Sequence, residues 1–94
     1  MSTTTPFFDA EAVNIASVDW VPTKSAFTSA LNCTSTGTVY VDMAGFGSSA
    51  IGVPNAGSTN IPIAMVAGET LRIAVVKVHK ASTTGAYTAL YCPG

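Results

Sequence analysis

The alternation of apolar residues in the C-terminal third of the sequence is the feature that most constrains the fold. Leu71, Ile73 and Val75 occupy every second position, which places them on one face of an extended chain. The alternation then changes phase, because the next apolar positions are Val76 and Val78. A one-residue change of phase reverses the two faces of a strand. The sequence therefore predicts either a β-bulge at Val75 and Val76 or a passage of the chain from one sheet to another.

Short alternating segments recur along the whole sequence, and clusters of Gly, Ser and Asn separate them. No segment of ten residues shows the 3.6-residue period of an amphipathic helix. This pattern predicts an all-β fold, a small antiparallel β-sandwich, jelly-roll-like or barrel-like, with six to eight short strands. The predicted strands cover residues 15–21, 27–33, 38–43, 50–53, 61–65, 71–78 and 87–92.

Two residues predict local geometry. Pro62 interrupts the alternation of 61–65, and a proline has no N–H for a ladder hydrogen bond, so this strand is expected at a sheet edge or to begin there. Gly68 lies in the turn that follows, where it can adopt a positive φ without steric cost.

The first fourteen residues differ from the rest, because a Thr-rich lead is followed by the adjacent rings of Phe7 and Phe8. We interpret residues 1–14 as an extended N-terminal arm and residues 15–94 as a single domain. Leaving two phenylalanines in water forgoes about 1.5–3 kcal/mol for each ring. The arm is therefore expected to dock on a neighbouring subunit, with a frayed terminus as the alternative.

The composition indicates contacts with other proteins. Of the 94 residues, 48% are hydrophobic and 10% are charged, whereas roughly 25% are charged in an average domain. So short a chain cannot bury all this apolar surface within itself. A net charge of −1 with four basic residues argues against a nucleic-acid partner.

Membrane insertion and secretion are not predicted. A bilayer-spanning helix needs roughly 18 consecutive apolar residues, and the sequence has no such run. It has no basic residue before Lys24 and no signal-peptide core. We expect synthesis in a cytosol, where Cys33 and Cys92 form two thiols, with a disulfide as the alternative.

No catalytic, metal-binding or cofactor-binding pattern stands out. The single histidine, His79, lies between Lys77 and Lys80 rather than beside a nucleophile, and the acidic residues are scattered. The residues alone therefore predict a protein that is not an enzyme and holds no cofactor.

Several short motifs follow one another along residues 26–91: Ser29-Ala30-Leu31, Gly37-Thr38-Val39-Tyr40-Val41, Ile61-Pro62-Ile63, Ala67-Gly68-Glu69, Leu71-Arg72-Ile73, Thr83-Thr84-Gly85-Ala86 and Ala89-Leu90-Tyr91. This order resembles the head spike-base proteins of gene transfer agents and the related small virion proteins of tailed phages. The chain departs from that pattern at Pro22-Thr23-Lys24-Ser25, where the family often has an acidic loop, and in its N-terminal arm.

The resemblance implies a non-enzymatic β-sandwich protein on the outer surface of a phage head, made in the host cytoplasm. It implies either a spike base at fivefold vertices or a decoration or cement protein. The implied partners are the major capsid protein, further copies of the chain in a trimer or pentamer, and a head fibre protein. Neither nucleic acid nor membrane is an implied partner.

Aromatic side chains are the predicted contact residues of such a protein. The interface residues are predicted to be Phe7, Phe8, Trp20, Phe46, Tyr87 and Tyr91. A carbohydrate-binding β-sandwich is the alternative function. In that alternative, the rings of Trp20, Tyr40, Tyr87 and Tyr91 face solvent and stack on sugars.

Overall fold

The computed structural model describes residues 7–45, 48–50, 53–54 and 57–92. These residues form no helix, so the all-β prediction is confirmed. The strands of the described residues are β1 (Asp9–Ala12), β2 (Ala30–Ser35), β3 (Gly37–Met43), β4 (Ser48–Ala50), β5 (Val53–Pro54), β6 (Ile61–Met65), β7 (Thr70–Leu71), β8 (Val75–Val78) and β9 (Ala86–Tyr91).

Seven of these strands build two antiparallel sheets. The four-stranded sheet has the order β1-β9-β2-β7, and the three-stranded sheet has the order β6-β3-β8. Strands β4 and β5 form a separate two-stranded ladder. The predicted small antiparallel sandwich is thus confirmed as a β-sandwich-like fold.

The hydrophobic core combines alternate side chains of both sheets, as expected for two packed sheets. Val39 and Val41 of β3 are fully buried, as are Leu31 and Ala89 of the other sheet. The whole cluster comprises Trp20, Leu31, Cys33, Val39, Val41, Met65, Val75, Val78, Tyr87, Ala89 and Tyr91. The alternation in β3 and β9 therefore corresponds to one buried face in each strand, formed by Val39 and Val41 in β3 and by Tyr87, Ala89 and Tyr91 in β9.

Both predicted alternatives, a β-bulge and a passage of the chain between sheets, occur near the change of phase at Val75 and Val76. Strand β7 belongs to the four-stranded sheet and β8 to the three-stranded sheet, so the chain changes sheets over residues 72–74. The register between β3 and β8 then shifts, since Asp42 pairs with Lys77 and Met43 pairs with Val75. The shift places a bulge at Val76. The predicted segment 71–78 is therefore divided into β7 and β8 by a passage between sheets, which lies at residues 72–74, before the change of phase.

Thr28 holds the crossing together from inside the protein. Its hydroxyl donates a hydrogen bond to the carbonyl oxygen of Ile73 (2.8 Å) and accepts one from the N–H of Val75 (3.1 Å). Its own N–H donates to the carbonyl of Val75 (3.0 Å), and the N–H of Ser29 donates to Leu90 of the other sheet (2.9 Å). Thr28 is fully buried, so these hydrogen bonds satisfy polar groups that water does not reach.

We expect Thr28→Val to lower the free energy of unfolding by about 1–3 kcal/mol, because it preserves the shape but leaves two backbone groups without their partner. The measurement is urea denaturation followed by circular dichroism. Thr34→Val makes the same change at an exposed strand position and should shift stability by less than about 0.5 kcal/mol. Equal losses in the two variants would contradict the role given to the Thr28 hydroxyl.

The second passage between the sheets, from β8 to β9, runs alongside β3. The N–H of Thr38 donates to the hydroxyl of Thr84 (3.0 Å), and the N–H of Tyr40 donates to the hydroxyl of Thr83 (3.0 Å). These two hydroxyl groups accept hydrogen bonds that a neighbouring strand would accept if β8 continued. Gly85 follows with a φ of 87° and brings the chain close to β3.

Residues 9–12 belong to the sandwich rather than to an arm. Strand β1 pairs with β9, with Asp9 opposite Tyr91 and Glu11 opposite Ala89. Directly opposed residues share a face of the sheet, so both acidic side chains lie on the face that carries Tyr91 and Ala89. Asp9 is exposed and Glu11 is half-buried, and charged side chains on an edge strand are one way in which proteins prevent it from pairing with other chains.

The local predictions had mixed outcomes. β6 is an edge strand, as Pro62 predicted, and Gly68 has a φ of 91°. The predicted strand at 15–21 was wrong, since only Trp20 forms an isolated β-bridge there, to Val78. Strand β2 begins at Ala30 rather than at residue 27. Both cysteines are free thiols, with Cys33 buried and Cys92 half-buried.

Candidate interaction surface

Residues 14–27 form a strap that crosses one open side of the sandwich. Next to its start, the N–H of Val13 bonds to the carbonyl of Tyr87 in β9 (3.1 Å). Just after its end, Thr28 bonds to Val75 in β8. The strap therefore joins the β1 edge of one sheet to the β8 edge of the other. Its polar residues and Pro22 suit an irregular segment better than a strand.

Trp20 is the buried residue of the strap. Its ring belongs to the core, while its N–H and carbonyl exchange hydrogen bonds with Val78 at 2.9 and 2.8 Å. This pair of bonds covers the edge of β8 at that position. A buried aromatic ring and two backbone bonds thus fix the middle of the strap to the sandwich.

The carboxylate of Glu11 fixes the strap to β1. It accepts hydrogen bonds from the hydroxyl of Thr23 (2.9 Å), the N–H of Thr23 (3.2 Å) and the hydroxyl of Tyr91 (2.6 Å). Desolvation raises the pKa of Glu11, but hydrogen bonds from Tyr91, Thr23 and the Trp20 side chain outweigh it and leave the pKa below its ordinary value. Desolvation and the adjacent Glu11 raise the pKa of Tyr91 well above its ordinary value.

A second cluster holds the strap near β8. One carboxylate oxygen of Asp19 accepts a hydrogen bond from the N–H of Lys80 (2.7 Å), and the other lies 3.8 Å from Nδ1 of His79. The Nε2 atom of His79 lies 2.6 Å from Oδ1 of Asp42. Desolvation raises the pKa of Asp42, but hydrogen bonds from His79 and the N–H of Asn60, with the charges of His79 and Lys77, lower it overall.

The outward side of the strap carries large apolar side chains. Val18 is 67% exposed, Val21 50% and Phe27 46%. Phe8 is 71% exposed and directly precedes Asp9, whose carboxylate lies 3.3 Å from the ammonium group of Lys24 in the strap. We call Phe8, Val18, Val21 and Phe27 the strap surface. Four large apolar side chains left exposed on so small a protein make this segment the candidate interaction surface.

Those of the six predicted interface residues that the structure describes do not form one exposed surface. Phe8 lies on the strap surface, and Phe46 lies outside the described residues. Phe7 is half-buried, and the guanidinium carbon of Arg72 lies 4.9 Å from the centroid of its ring, a cation–π contact within this chain. Trp20, Tyr87 and Tyr91 are buried, with 7%, 3% and 4% of their surface exposed.

The prediction that the last three rings face solvent was therefore wrong. Each ring packs in the core, while its polar atom finds a partner at the margin of the core. The hydroxyl of Tyr87 donates to the carbonyl oxygen of Thr84 (2.6 Å), and that of Tyr91 donates to Glu11. Of the four rings considered for sugar stacking, Tyr40 alone keeps substantial exposure. The described residues therefore do not form the predicted aromatic platform.

Sequence reasoning missed Val18, Val21 and Phe27 as surface residues because it assigned the segments around them to strands. The available signal was Pro22 with the polar run after it, which ends any alternation at this point. If residues 15–27 are interpreted as irregular, they have no inner sheet face, and their apolar side chains are no longer predicted to be buried.

Two negative observations apply to the described residues alone. They contain no group of three or more His, Cys, Asp or Glu side chains that could hold a metal ion. Within the same residues, no helix is long and apolar enough to span a membrane.

No protein-family model, curated protein sequence or solved structure is significantly similar to this chain.

Proposed function

We propose that this chain is a non-enzymatic structural protein of a phage virion that contacts the major capsid protein and associates with copies of itself. The observation that carries the proposal is the strap surface, whose four large apolar side chains are all substantially exposed. Burying such side chains against another subunit would supply about 1.5–3 kcal/mol for each.

The polar groups of the strap favour a protein partner. The carboxylate of Glu11 accepts a hydrogen bond from Thr23, and that of Asp9 forms an ion pair with Lys24. Both carboxylates near the strap therefore have partners within the chain, and the strap presents mainly apolar side chains to a partner. Such a surface suits a neutral protein face better than a polyanion, which needs clustered cations.

The order of sequence motifs supports the viral part of the proposal. In this proposal the protein lies on the outer surface of the head, after synthesis in the host cytoplasm, as a spike base or as a decoration or cement protein. A head fibre protein is a further proposed partner. In each role the chain contributes through contacts with other subunits.

Sedimentation over a range of protein concentrations tests the self-association. We expect concentration-dependent oligomers for the natural sequence and at least about tenfold weaker association for Phe8→Ser combined with Phe27→Ser, a change of about 1.4 kcal/mol. Val66→Ser is the matched control, because Val66 is 60% exposed but lies in the turn after β6. A monomer at all concentrations, or equal weakening by Val66→Ser, would contradict the proposed interface.

The location is tested on gradient-purified particles of the virus that encodes the chain. Antibody labelling followed by electron microscopy should place the protein on the outside of intact heads. Its absence from the particles, or labelling confined to tails or disrupted heads, would exclude the proposed location whatever the oligomeric state.

A further inference from the structure

We propose that the strap is a conformational switch that acid releases, so that residues 14–27 detach from the sandwich before the sheets unfold. The inference rests on how the strap is held and does not depend on the proposed function. Among the described residues, three carboxylates tether it: Glu11 through Thr23, Asp9 through Lys24, and Asp19 through Lys80 and His79.

The tethers differ from the contacts that hold the sheets. Ladder hydrogen bonds between backbone groups and the buried apolar core do not change with protonation. A carboxylate that is protonated keeps its shape but loses its charge and part of its capacity to accept hydrogen bonds. Acid therefore weakens the tethers made by Glu11 and Asp9, whereas the buried ring of Trp20, its backbone bonds to Val78 and the two sheets do not depend on protonation.

The three carboxylates face different groups of the strap and of the sheets. Glu11 faces the hydroxyl of Tyr91 from β9 and, from the strap, Thr23 and the Trp20 side chain. Asp9 faces the ammonium group of Lys24.

Asp19 faces His79 and the N–H of Lys80, with Asp42 on the far side of the imidazole and Lys77 beside Asp42.

The direction of the pH effect follows from the depressed pKa of Glu11. The pKa of Asp9 is also lowered, first by the N–H of its neighbour Ala10 and then by Lys24 of the strap. A carboxylate whose pKa is lower in the folded chain stabilises the closed strap above its ordinary pKa. This contribution is lost as the pH falls through the lower, folded value. The ordinary pKa of glutamate is about 4.3, so we expect the strap to open below that pH.

Opening the strap would uncover two buried features. The ring of Trp20 would enter solvent, and Val78 would lose the two backbone bonds that cover its position on the edge of β8. An uncovered sheet edge is a template for pairing with another strand. Release of the strap would therefore create an interaction edge that the closed protein does not present.

Trp20 is the only tryptophan, so its fluorescence reports the strap directly. The intact chain is titrated from neutral pH downward while tryptophan emission, acrylamide quenching and far-ultraviolet circular dichroism are recorded. We expect the emission to shift to the red and quenching to rise at a higher pH than the loss of strand signal. A single transition shared by fluorescence and circular dichroism would overturn the proposal.

Two variants and one control locate the switch. Glu11→Gln should raise acrylamide quenching at neutral pH and flatten its pH dependence. Thr23→Val removes one donor to Glu11 and should move the fluorescence midpoint upward by about half a pH unit to one unit. Glu69→Gln is the control, because the Glu69 carboxylate bonds to Val66 in its own turn, away from the strap. A midpoint that stays unchanged in Thr23→Val, or moves equally in Glu69→Gln, would refute the switch.

Discussion

Gly37→Ala is expected to lower the free energy of unfolding by about 3 kcal/mol or more, because it forces backbone atoms apart at the second sheet crossing. A Cβ atom at Gly37 would lie 2.3 Å from the carbonyl oxygen of Thr84 and 2.6 Å from the nitrogen of Gly85. Side chains can rotate away from such contacts, but these atoms belong to the segment that joins β8 to β9. For a domain of this size, the loss corresponds to roughly 12–24 °C in Tm.

Gly68→Ala is the matched control for that experiment. Gly68 has a φ of 91° but no atom within 4 Å of the position of its Cβ, so alanine there incurs only the backbone strain of a left-handed residue, about 1–2 kcal/mol. Thermal and urea denaturation of both variants separate the two effects. If Gly37→Ala is no more destabilising than Gly68→Ala, the close approach of residues 84 and 85 to β3 is not a constraint on the fold.

Trp20→Ala is the second substitution with a large expected effect, a loss of about 3–5 kcal/mol. It removes the only buried ring of the strap and also the indole donor to Glu11. The measurement is urea denaturation followed by circular dichroism, since the variant has no tryptophan to follow.

Val18→Ala shortens a strap side chain that is 67% exposed and should change stability by less than about 0.5 kcal/mol. A loss below about 1 kcal/mol in Trp20→Ala would mean that the strap contributes little to the packed structure.

The strands that could be predicted from the sequence are those whose alternation reflects a real difference between two faces. In β3, Val39 and Val41 are buried while Tyr40 and Asp42 are half-buried, so the period of two indicates both the strand and its inner face. The phase change at Val75 and Val76 predicted either a bulge or a passage between sheets, and a bulge lies at Val76.

Strand β1 shows what the pattern cannot predict. Its residues, Asp-Ala-Glu-Ala, have low strand propensity, and it forms because β9 offers an unpaired edge to it. The pairing of Glu11 with Ala89 joins parts of the chain that are far apart in sequence. A local sequence pattern cannot predict such a distant strand partner.

The candidate surface was only partly predictable for a related reason. The alternation of Tyr87, Ala89 and Tyr91 identified a common face, but a tyrosine ring suits either a core margin or a solvent-facing platform. The partners that decide the question are the carbonyl of Thr84 and the carboxylate of Glu11. Glu11 lies 80 residues from Tyr91, so the sequence alone could not show that this hydroxyl has a buried partner.

The strand order of the larger sheet also determines when during synthesis it can assemble. The smaller sheet has all its strands once Val78 has been made, but the larger one has β9 between β1 and β2. Until residues 86–91 exist, β1 has no strand partner in that sheet, and the edge of β2 that β9 covers is open.

Both edges can then bind strands of other nascent chains. The rate at which β9 enters the sheet should therefore govern the yield of soluble protein at high expression.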